Sequence, residues 1–385
     1  MSGYNVPEIV DAIRTQAGRM LHTSTLSLIE PMVQLAEQIA QLAPMDDSAK
    51  VFFTSSGTEA NEAALLVATT KRRSNQVLAL RNSYHGRSFA AMALTGNRAW
   101  SASSLTPINV SYVQGPDRVR SPWPELDDGR YIDACVADLR SVIEVATAGD
   151  VACMIVEPIQ GVGGFATPPD GLYKAFKQVL DEYGILLIAD EVQTGWGRTG
   201  EHFWGIQAHD VTPDIMTFAK GVGNGLALGG VVAPAALMDC VCPNSISTFG
   251  GNPLSCAGAL ANLEYLLSND LQANALQIGN HMFARLREIA ASSKLIGDVR
   301  GMGLLQALEL VEDRQSKRPA TQLTAALLES AREERIMIGR GGLSGNVIRL
   351  SPPLNIAKSD VGEFARRLDV SLTKAVARLH ATVGA

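Results

Sequence analysis

Short apolar runs alternate with longer amphipathic stretches through the first two thirds of the chain. In chain order, the runs occupy residues 51–53, 77–80, 110–113, 154–156, 185–189, 215–218 and 230–233. Runs without polar alternation are typical of strands buried on both faces, and the stretches between them have helical spacing. The pattern therefore predicts an α/β protein with a mostly parallel central sheet flanked by helices.

The two ends of the chain have different patterns. Residues 7–14 and 31–42 have the spacing of helices, and residues 253–291 predict one long helix. Three further apolar runs and another helical stretch then indicate a second α+β region; they lie at 296–300, 304–310, 347–350 and 323–334. We therefore expect an N-terminal helical segment (1–45), a large domain (46–270) and a smaller C-terminal domain (271–385).

Composition and charge narrow the class of protein. The chain has 385 residues, 46% of them hydrophobic, and its net charge of −6 argues against nucleic acid as a main partner. Its 5 cysteines do not form a disulfide framework, and Cys240 and Cys242 have no second Cys/His pair nearby, so no metal site is predicted. Without a membrane-spanning run or a secretory signal, we expect no membrane association and a cytoplasmic location.

Polar residues follow several predicted strands at the point where each strand ends, which is where ligands bind in parallel α/β sheets. Ser56, Gly57 and Thr58 follow the first run and begin a helix, whose free N–H groups could hold a phosphate. The alternative is a helix capped by serine or threonine, without a ligand. No Walker lysine and no G-x-G-x-x-G fingerprint accompanies this turn, so a nucleotide site is not predicted.

Five more residues follow the later strands. Tyr84 and His85 could present a flat ring to a flat ligand, or could lie in an ordinary surface loop. Glu157, Asp190 and Lys220 could each be a salt-bridged strand end. A buried lysine is costly unless its charge is paired or its pKa falls, however, and a neutral amine is a nucleophile. Together with a phosphate turn and an aspartate that could hold a protonated ring nitrogen, these residues indicate pyridoxal phosphate.

The chain resembles the class III (ω-) aminotransferases, a family of fold type I pyridoxal-phosphate enzymes, over nearly its whole length. The resemblance implies a seven-stranded, mostly parallel sheet in a large cofactor-binding domain and a smaller C-terminal α+β domain. Two segments, at 161–164 and 202–207, look most like alanine–glyoxylate and β-alanine–pyruvate transaminases. The motifs that match in order and spacing are Ser55-Ser-Gly-Thr-Glu-Ala-Asn61, Tyr84-His-Gly86, Glu157-Pro-Ile-Gln-Gly161, Ala189-Asp-Glu-Val-Gln193, Ala219-Lys-Gly-Val-Gly-Asn224 and Thr248-Phe-Gly-Gly-Asn-Pro253.

This resemblance implies a role for each residue that holds the cofactor ring. Lys220 would bind the cofactor as a Schiff base and later move a proton as general acid–base. Asp190 would pair with the pyridine nitrogen. Val192 and Tyr84 would pack on the two faces of the ring, and Gln193 would hydrogen-bond its phenolic oxygen.

Other residues would surround the ring and recognise the substrate. Ser56, Gly57 and Thr58 would bind the phosphate, and Thr248 would reach it from the neighbouring subunit, which makes a homodimer necessary for a complete site. His85 would lie against the cofactor, and Glu157 would stay near the ring as part of the polar network around Asp190. Arg349 would bind a substrate carboxylate in a bidentate manner, through two parallel N–H···O hydrogen bonds.

Two departures from the family pattern bear on function. Many relatives that act on ornithine, acetylornithine or 4-aminobutyrate have a second glutamate after the Glu-Pro-Ile-Gln motif, which masks the carboxylate-binding arginine. Val162 stands at that position here, so we expect a different choice of donor. Relatives also usually begin with a further stretch that lines the substrate channel, and this sequence has Gly3-Tyr4-Asn5 where that stretch would end.

The expected function is transfer of an amino group from an α- or ω-amino acid to a keto acid such as pyruvate or glyoxylate, with ping-pong kinetics. Alternatives are a 4-aminobutyrate or acetylornithine type of transaminase that uses 2-oxoglutarate, a phospho-lyase, a decarboxylase, an epimerase, or a pseudoenzyme that binds the cofactor without turnover. The sequence leaves open whether dimers pair into tetramers.

Overall fold

A seven-stranded sheet forms the centre of the protein in the computed structural model, which describes residues 1–45 and 49–383. The predicted boundary at residue 46 lies outside the described residues. The strands follow the predicted runs: β1 Ala49–Thr54, β2 Gln76–Leu80, β3 Asn109–Val113, β4 Cys153–Val156, β5 Leu186–Asp190, β6 Ile215–Phe218 and β7 Gly229–Pro234.

The strand order is β1-β7-β6-β5-β4-β2-β3. Strands β2 to β6 pair in parallel, and β7 runs antiparallel to both of its neighbours. The prediction of a mostly parallel seven-stranded sheet is therefore confirmed. The parallel pairing brings the carboxyl ends of these strands to one edge of the sheet.

Helices cover both faces of this sheet. Successive side chains of a strand point to opposite faces, and the apolar side chains on each face pack against helices. Leu78 and Leu80 belong to one apolar cluster, which includes residues of α5 (Asp128–Val145) and α6 (Leu172–Glu182). Val77 and Ala79 belong to a second cluster with residues of α3 (Gly57–Arg72). The other helices around the sheet are α1 Pro7–Arg19, α2 Glu30–Leu42, α4 Phe89–Leu94 and α7 Ala235–Met238.

The predicted long helix at 253–291 is two helices in the structure, α8 (Pro253–Ser268) and α9 (Leu271–Ser292). Asp270 separates them: its backbone is left-handed, with φ of 46°, and its side chain accepts a hydrogen bond from the Ala273 N–H. An aspartate that caps the next helix in this way interrupts the α-helical hydrogen bonds. The apolar pattern continues across the break, which is why it predicts a single helix.

A second, four-stranded antiparallel sheet follows in the C-terminal region, with the order β10-β11-β9-β8. Helices α9, α10 and α11 supply apolar side chains to its core. The bounds of these elements are β8 Ile296–Met302, β9 Leu305–Leu310, α10 Thr321–Glu333, β10 Gly339–Gly341, β11 Val347–Leu350 and α11 Lys358–Val383. The predicted α+β region is thus present. Over residues 1–45 and 49–383, every helix is too short or too polar to cross a lipid bilayer.

Candidate active site

One cavity at the carboxyl edge of the large sheet brings together ten of the twelve predicted site residues. They lie at, or shortly after, the carboxyl ends of β1, β2, β4, β5 and β6. The cavity is lined by Ser56, Gly57, Thr58, Tyr84, His85, Glu157, Asp190, Val192, Gln193 and Lys220, and also by Asn61 and Gly86. Thr248 and Arg349 lie outside this lining.

The start of α3 forms one wall of the cavity. Ser56 caps the helix, since its hydroxyl accepts a hydrogen bond from the Glu59 N–H at 3.2 Å. The N–H groups of Gly57 and Thr58 belong to the first turn, where no intrahelical acceptor exists, so they are available to an anion. A Cβ atom on Gly57 would lie 3.1 Å from both methyl groups of Val192. Glycine therefore lets the helix start approach Val192 closely.

The Asp190 carboxylate is fixed by hydrogen bonds on both oxygens. Its Oδ2 accepts from Asn61 Nδ2 at 2.9 Å and lies 2.8 Å from His85 Nδ1, and its Oδ1 accepts from the Val192 N–H at 3.1 Å. Asn61 is fixed in turn, because it donates to the His85 carbonyl at 2.7 Å and accepts from Thr217 Oγ1 at 2.7 Å. This set of bonds orients a nearly fully buried carboxylate.

The sequence patterns predict no role for Asn61 or Thr217. Asn61 stands inside the motif that begins at Ser55, one helical turn after Gly57, so its position on the cavity side of α3 was a usable signal. Thr217 is the last polar residue of β6 and pairs with Asp190 across the strands. His85 lines the cavity as expected, but its Nδ1 is engaged with Asp190 and its buried Nε2 has no hydrogen-bond partner among the described residues.

Glu157 organises the loop on the other side of the cavity. Its carboxylate accepts from the Tyr84 N–H at 2.9 Å and from the Gly161 N–H at 2.8 Å. Burial, with a smaller contribution from the neighbouring Asp190, raises the pKa of Glu157 to about 7, while His85 acts in the opposite direction. Tyr84 is thereby placed at the cavity, where its ring packs edge-on against Trp100 at a centroid distance of 5.6 Å.

Lys220 lies two residues after β6 and lines this cavity as well as a second one beside it. Its backbone is left-handed, with φ of 46°, a conformation that a non-glycine residue adopts at a cost in free energy. Burial lowers the pKa of its amine, while Asp190 and Glu157 act in the opposite direction. The lowered pKa increases the share of the neutral, nucleophilic amine.

Arg349 belongs to β11, and its guanidinium is held by a backbone carbonyl rather than by a carboxylate. Its Nη1 donates to the Gly161 carbonyl at 3.1 Å, and its guanidinium carbon lies 5.6 Å from the centre of the Phe165 ring. Its buried Nε has no hydrogen-bond partner, and it forms no salt bridge with any residue in the described part of the chain. Val162, the residue after Gly161, is buried.

Thr248 is exposed and lies in the segment between α7 and α8. The neighbouring Phe249 packs against His22, with ring centroids 5.0 Å apart. The predicted role of Thr248 in a second subunit's site stays a prediction.

The residues of the cavity fit pyridoxal phosphate. Unpaired N–H groups at a helix start suit its phosphate, and an oriented carboxylate suits its ring nitrogen. The lysine amine suits its aldehyde. Gly86, with φ of 137°, closes the phosphate end: a Cβ atom there would lie 2.5 Å from Thr58 Oγ1. The fold and the cavity therefore define a fold type I pyridoxal-phosphate enzyme.

The chain belongs to the class III aminotransferases, whose family model matches residues 1–372. It is similar to the mitochondrial alanine–glyoxylate aminotransferase 2 homolog 2 of Arabidopsis thaliana, with 38% identity over 97% of this chain and 76% of that protein. It is also 36% identical to the 5-aminovalerate aminotransferase DavT of Pseudomonas aeruginosa, over 92% of this chain and 82% of that protein. The prediction of the family is confirmed.

Solved structures agree with this assignment. An (S)-enantioselective ω-transaminase from Thermomicrobium roseum superposes with a TM-score of 0.89 at 32% identity and covers 97% of this chain and 86% of that one. A PLP-bound amine transaminase from an uncultivated Pseudomonas species superposes with a TM-score of 0.91 at 29% identity, over 97% of this chain and 88% of that one. The protein is therefore a pyridoxal-phosphate-dependent aminotransferase.

Proposed function

We propose that this aminotransferase takes an amino group from an α- or ω-amino acid and delivers it to pyruvate or glyoxylate. The observation that carries the proposal is the Arg349 environment: the arginine rests on the Gly161 carbonyl, with Val162 where ornithine-type relatives have a glutamate. An unmasked guanidinium is available to a carboxylate in both half-reactions. Relatives named for alanine and glyoxylate agree with this choice.

Each residue of the cavity has a distinct task in this proposal. The N–H groups of Gly57 and Thr58, at the turn that Ser56 caps, hold the phosphate. Asp190 accepts the ring N–H, and Val192 and Tyr84 confine the ring between them. Gln193 hydrogen-bonds the phenolic oxygen. His85 and Glu157 fix Asp190 and Tyr84 through the hydrogen bonds described above.

Lys220 carries the proton transfer. When bound, pyridoxal phosphate supplies an electron sink that makes the donor's C–H acidic. The Lys220 amine, whose pKa is lowered by burial, would remove that proton as general base and deliver it, as general acid, to the cofactor carbon that carries the aldehyde. The donor product leaves before the keto acid enters, so the kinetics are ping-pong.

The active form in this proposal is a cytoplasmic homodimer with shared sites. Large apolar side chains are exposed on two segments that meet through the His22–Phe249 contact, including Leu26, Leu28 and Phe249. Exposed apolar surface of this kind is typical of an interface. Thr248, beside Phe249, would then reach the partner's phosphate site.

Spectroscopy of the purified protein with its cofactor tests the function. Alanine, β-alanine, 4-aminobutyrate, 5-aminovalerate and ornithine are added separately, and the visible band of the bound cofactor is followed. We expect one or more of the first two donors to bleach the band and pyruvate or glyoxylate to restore it. Restoration by 2-oxoglutarate alone would contradict the proposed acceptor.

A racemase is the second candidate, because a leucine/methionine racemase of Thermococcus litoralis is 35% identical over 95% of this chain. The same protein is therefore incubated with each L-amino acid without a keto acid, and the D-enantiomer is measured by chiral chromatography. Transamination requires stoichiometric consumption of keto acid. Formation of the D-amino acid without it would establish the racemase instead.

A further inference from the structure

The turn at residues 161–164 is held at each of its four carbonyl groups. The Gly161 carbonyl accepts from Arg349, and the Val162 carbonyl accepts from the Gly342 N–H at 2.9 Å. Asn82 Nδ2 donates to the Gly163 carbonyl at 3.1 Å. Arg300 Nε donates to the Gly164 carbonyl at 3.0 Å. The position of the Gly161 carbonyl, on which Arg349 rests, therefore depends on groups outside the cavity lining, among them the side chains of Asn82 and Arg300.

Arg300 belongs to a buried charge cluster, which we define as Asp117, Arg120, Asp298, Arg300 and Glu309. Arg300 Nη1 donates to Asp298 Oδ2 at 2.8 Å and also to Glu309 Oε2. Arg120 Nε donates to Glu309 Oε1 at 2.7 Å. The Arg300 and Glu309 side chains are only 12% and 1% exposed. Such a cluster contributes little to stability once its desolvation is counted, so a role in positioning would explain it.

The buried charge cluster contacts both structures that set the position of Arg349. Through Arg300 it holds the turn that receives the guanidinium. Through Glu309 it contacts β11, because Val347 pairs with Glu309 in the antiparallel ladder and the preceding Asn346 donates from Nδ2 to Glu309 Oε1 at 3.4 Å. Arg349 follows two residues after Val347 and faces the same turn.

We propose that Arg300 is a positioning residue for substrates that carry a carboxylate. In this proposal Arg300 touches neither cofactor nor substrate. Its Nε–H fixes the Gly164 carbonyl and thereby the turn at 161–164. That turn fixes the Gly161 carbonyl, which accepts the hydrogen bond from Arg349. Loss of that bond lowers affinity for carboxylate substrates and leaves amines without a carboxylate unaffected. The inference rests on the proposed function of Arg349 as the carboxylate-binding residue.

The test compares two conservative variants of the same cluster. Arg300→Lys keeps the positive charge beside Glu309 and Asp298 but lacks the Nε–H that reaches Gly164. Arg120→Lys is the matched control, since it perturbs the same Glu309 carboxylate and makes no contact with the turn at 161–164. Both are measured in the first half-reaction, by bleaching of the cofactor band, with the active donor and with ethylamine, which is alanine or β-alanine without its carboxylate.

We expect Arg300→Lys to raise the apparent dissociation constant of the amino acid about tenfold, as loss of one hydrogen bond allows. The limiting rate and kcat/KM for ethylamine should stay within about twofold of wild type, and Arg120→Lys should match wild type with both amines. A second readout without turnover is the equilibrium binding of propionate, measured by intrinsic fluorescence. It should weaken in Arg300→Lys alone.

Two further variants keep the outcome interpretable. If Arg300→Lys does not fold, the double variant Arg300→Met/Glu309→Gln removes both charges together, and the same selective loss is expected from it. Arg349→Gln reports on the premise. Unchanged propionate binding in Arg349→Gln overturns both the carboxylate role of Arg349 and the proposal. Weaker binding in Arg349→Gln, with Arg300→Lys equal to Arg120→Lys, overturns the proposal alone.

Discussion

At the scale of single residues, the orientation of Asp190 depends strongly on Asn61. One amide nitrogen of Asn61 donates both to Asp190 Oδ2 and to the His85 carbonyl, while its oxygen accepts from Thr217. All of these groups are buried, so none of them can exchange its partner for bulk water. A hydrogen bond to a charged group is the stronger kind, and an orphaned buried partner is costly.

Asn61→Ala is therefore expected to weaken cofactor binding more than it weakens the fold. We expect the dissociation constant for pyridoxal phosphate to rise roughly tenfold to a hundredfold, because the ring-facing carboxylate loses its fixed geometry. Fluorescence titration of the protein freed of cofactor measures this. Asn274→Ala is the control, since Asn274 also donates to two backbone carbonyls, of Leu354 and Ile356, outside the cavity. Equal cofactor affinity in the two variants would contradict the assignment.

Glu191, the neighbour of Asp190, is fully buried and binds a different part of the chain. Its carboxylate accepts from Thr194 Oγ1 at 2.6 Å and from the N–H groups of Gly205 and Ile206 at 2.9 and 2.7 Å. Burial raises its pKa from the ordinary 4.5 to about 7, against the effect of these hydrogen bonds. Between those two pH values the folded protein binds more protons than the unfolded chain.

Stability contributed by Glu191 is thus present below pH 4.5 and is lost as pH rises through about 7. The glutamine of Glu191→Gln cannot titrate. The difference in free energy of unfolding between wild type and this variant should therefore shrink between pH 5 and pH 8, by at most about 1.4 kcal/mol per pH unit. Denaturant unfolding at four pH values measures it. Glu363→Gln is the control: Arg366 and Arg367 lower the pKa of Glu363 to about 2, so its penalty should be constant. A Glu191→Gln penalty that grows with pH would refute the assigned shift.

At the scale of elements, the start of α3 combines a structural and a binding role. Ser56→Ala removes the cap from the Glu59 N–H and should lower the free energy of unfolding by about 1 kcal/mol. It should also weaken binding of inorganic phosphate to the cofactor-free protein, because the cap orients the N–H groups of Gly57 and Thr58. Both quantities are measured, the first by denaturant unfolding and the second by calorimetry.

Asp127→Ala is the matched control for this prediction. Asp127 caps α5 by accepting from the Arg130 N–H at 2.9 Å, outside the cavity lining. It should cost similar stability and leave phosphate binding unchanged. If both variants bind phosphate as the wild type does, the start of α3 is only a capped helix.

The elements that hold the site were largely predictable, because each chemical group stands where a buried run ends. Asp190 is the last residue of β5, and Lys220 follows β6 by two residues. Parallel pairing alone then brings them to one edge. The partners were not predictable in the same way: Asn61 meets Asp190 across 129 residues, and Arg349 meets Gly161 across 188. Such contacts depend on the packing of whole elements, which local patterns do not record.

At the scale of the whole molecule, the proposed dimer accounts for apolar side chains that the chain leaves uncovered. Leu28 is 93% exposed and Phe249 is 59% exposed, and both stand on the segments that meet at the His22–Phe249 contact. A monomer rarely exposes such groups together. Thr248 is adjacent to Phe249. An interface between two copies over these apolar side chains would therefore bring Thr248 towards the partner's phosphate site.

We therefore expect sedimentation at micromolar concentration to give twice the chain mass of 41.0 kDa, or four times that mass if dimers pair. Leu28→Glu/Phe249→Glu should dissociate the assembly, because two charges would be buried without partners. Activity should fall in step with dissociation, since each site then lacks Thr248. Met337→Glu is the control, at an equally exposed apolar residue of the C-terminal region. A fully active monomer would show that one chain contains a complete site, and Thr248 would then have no part in binding the phosphate.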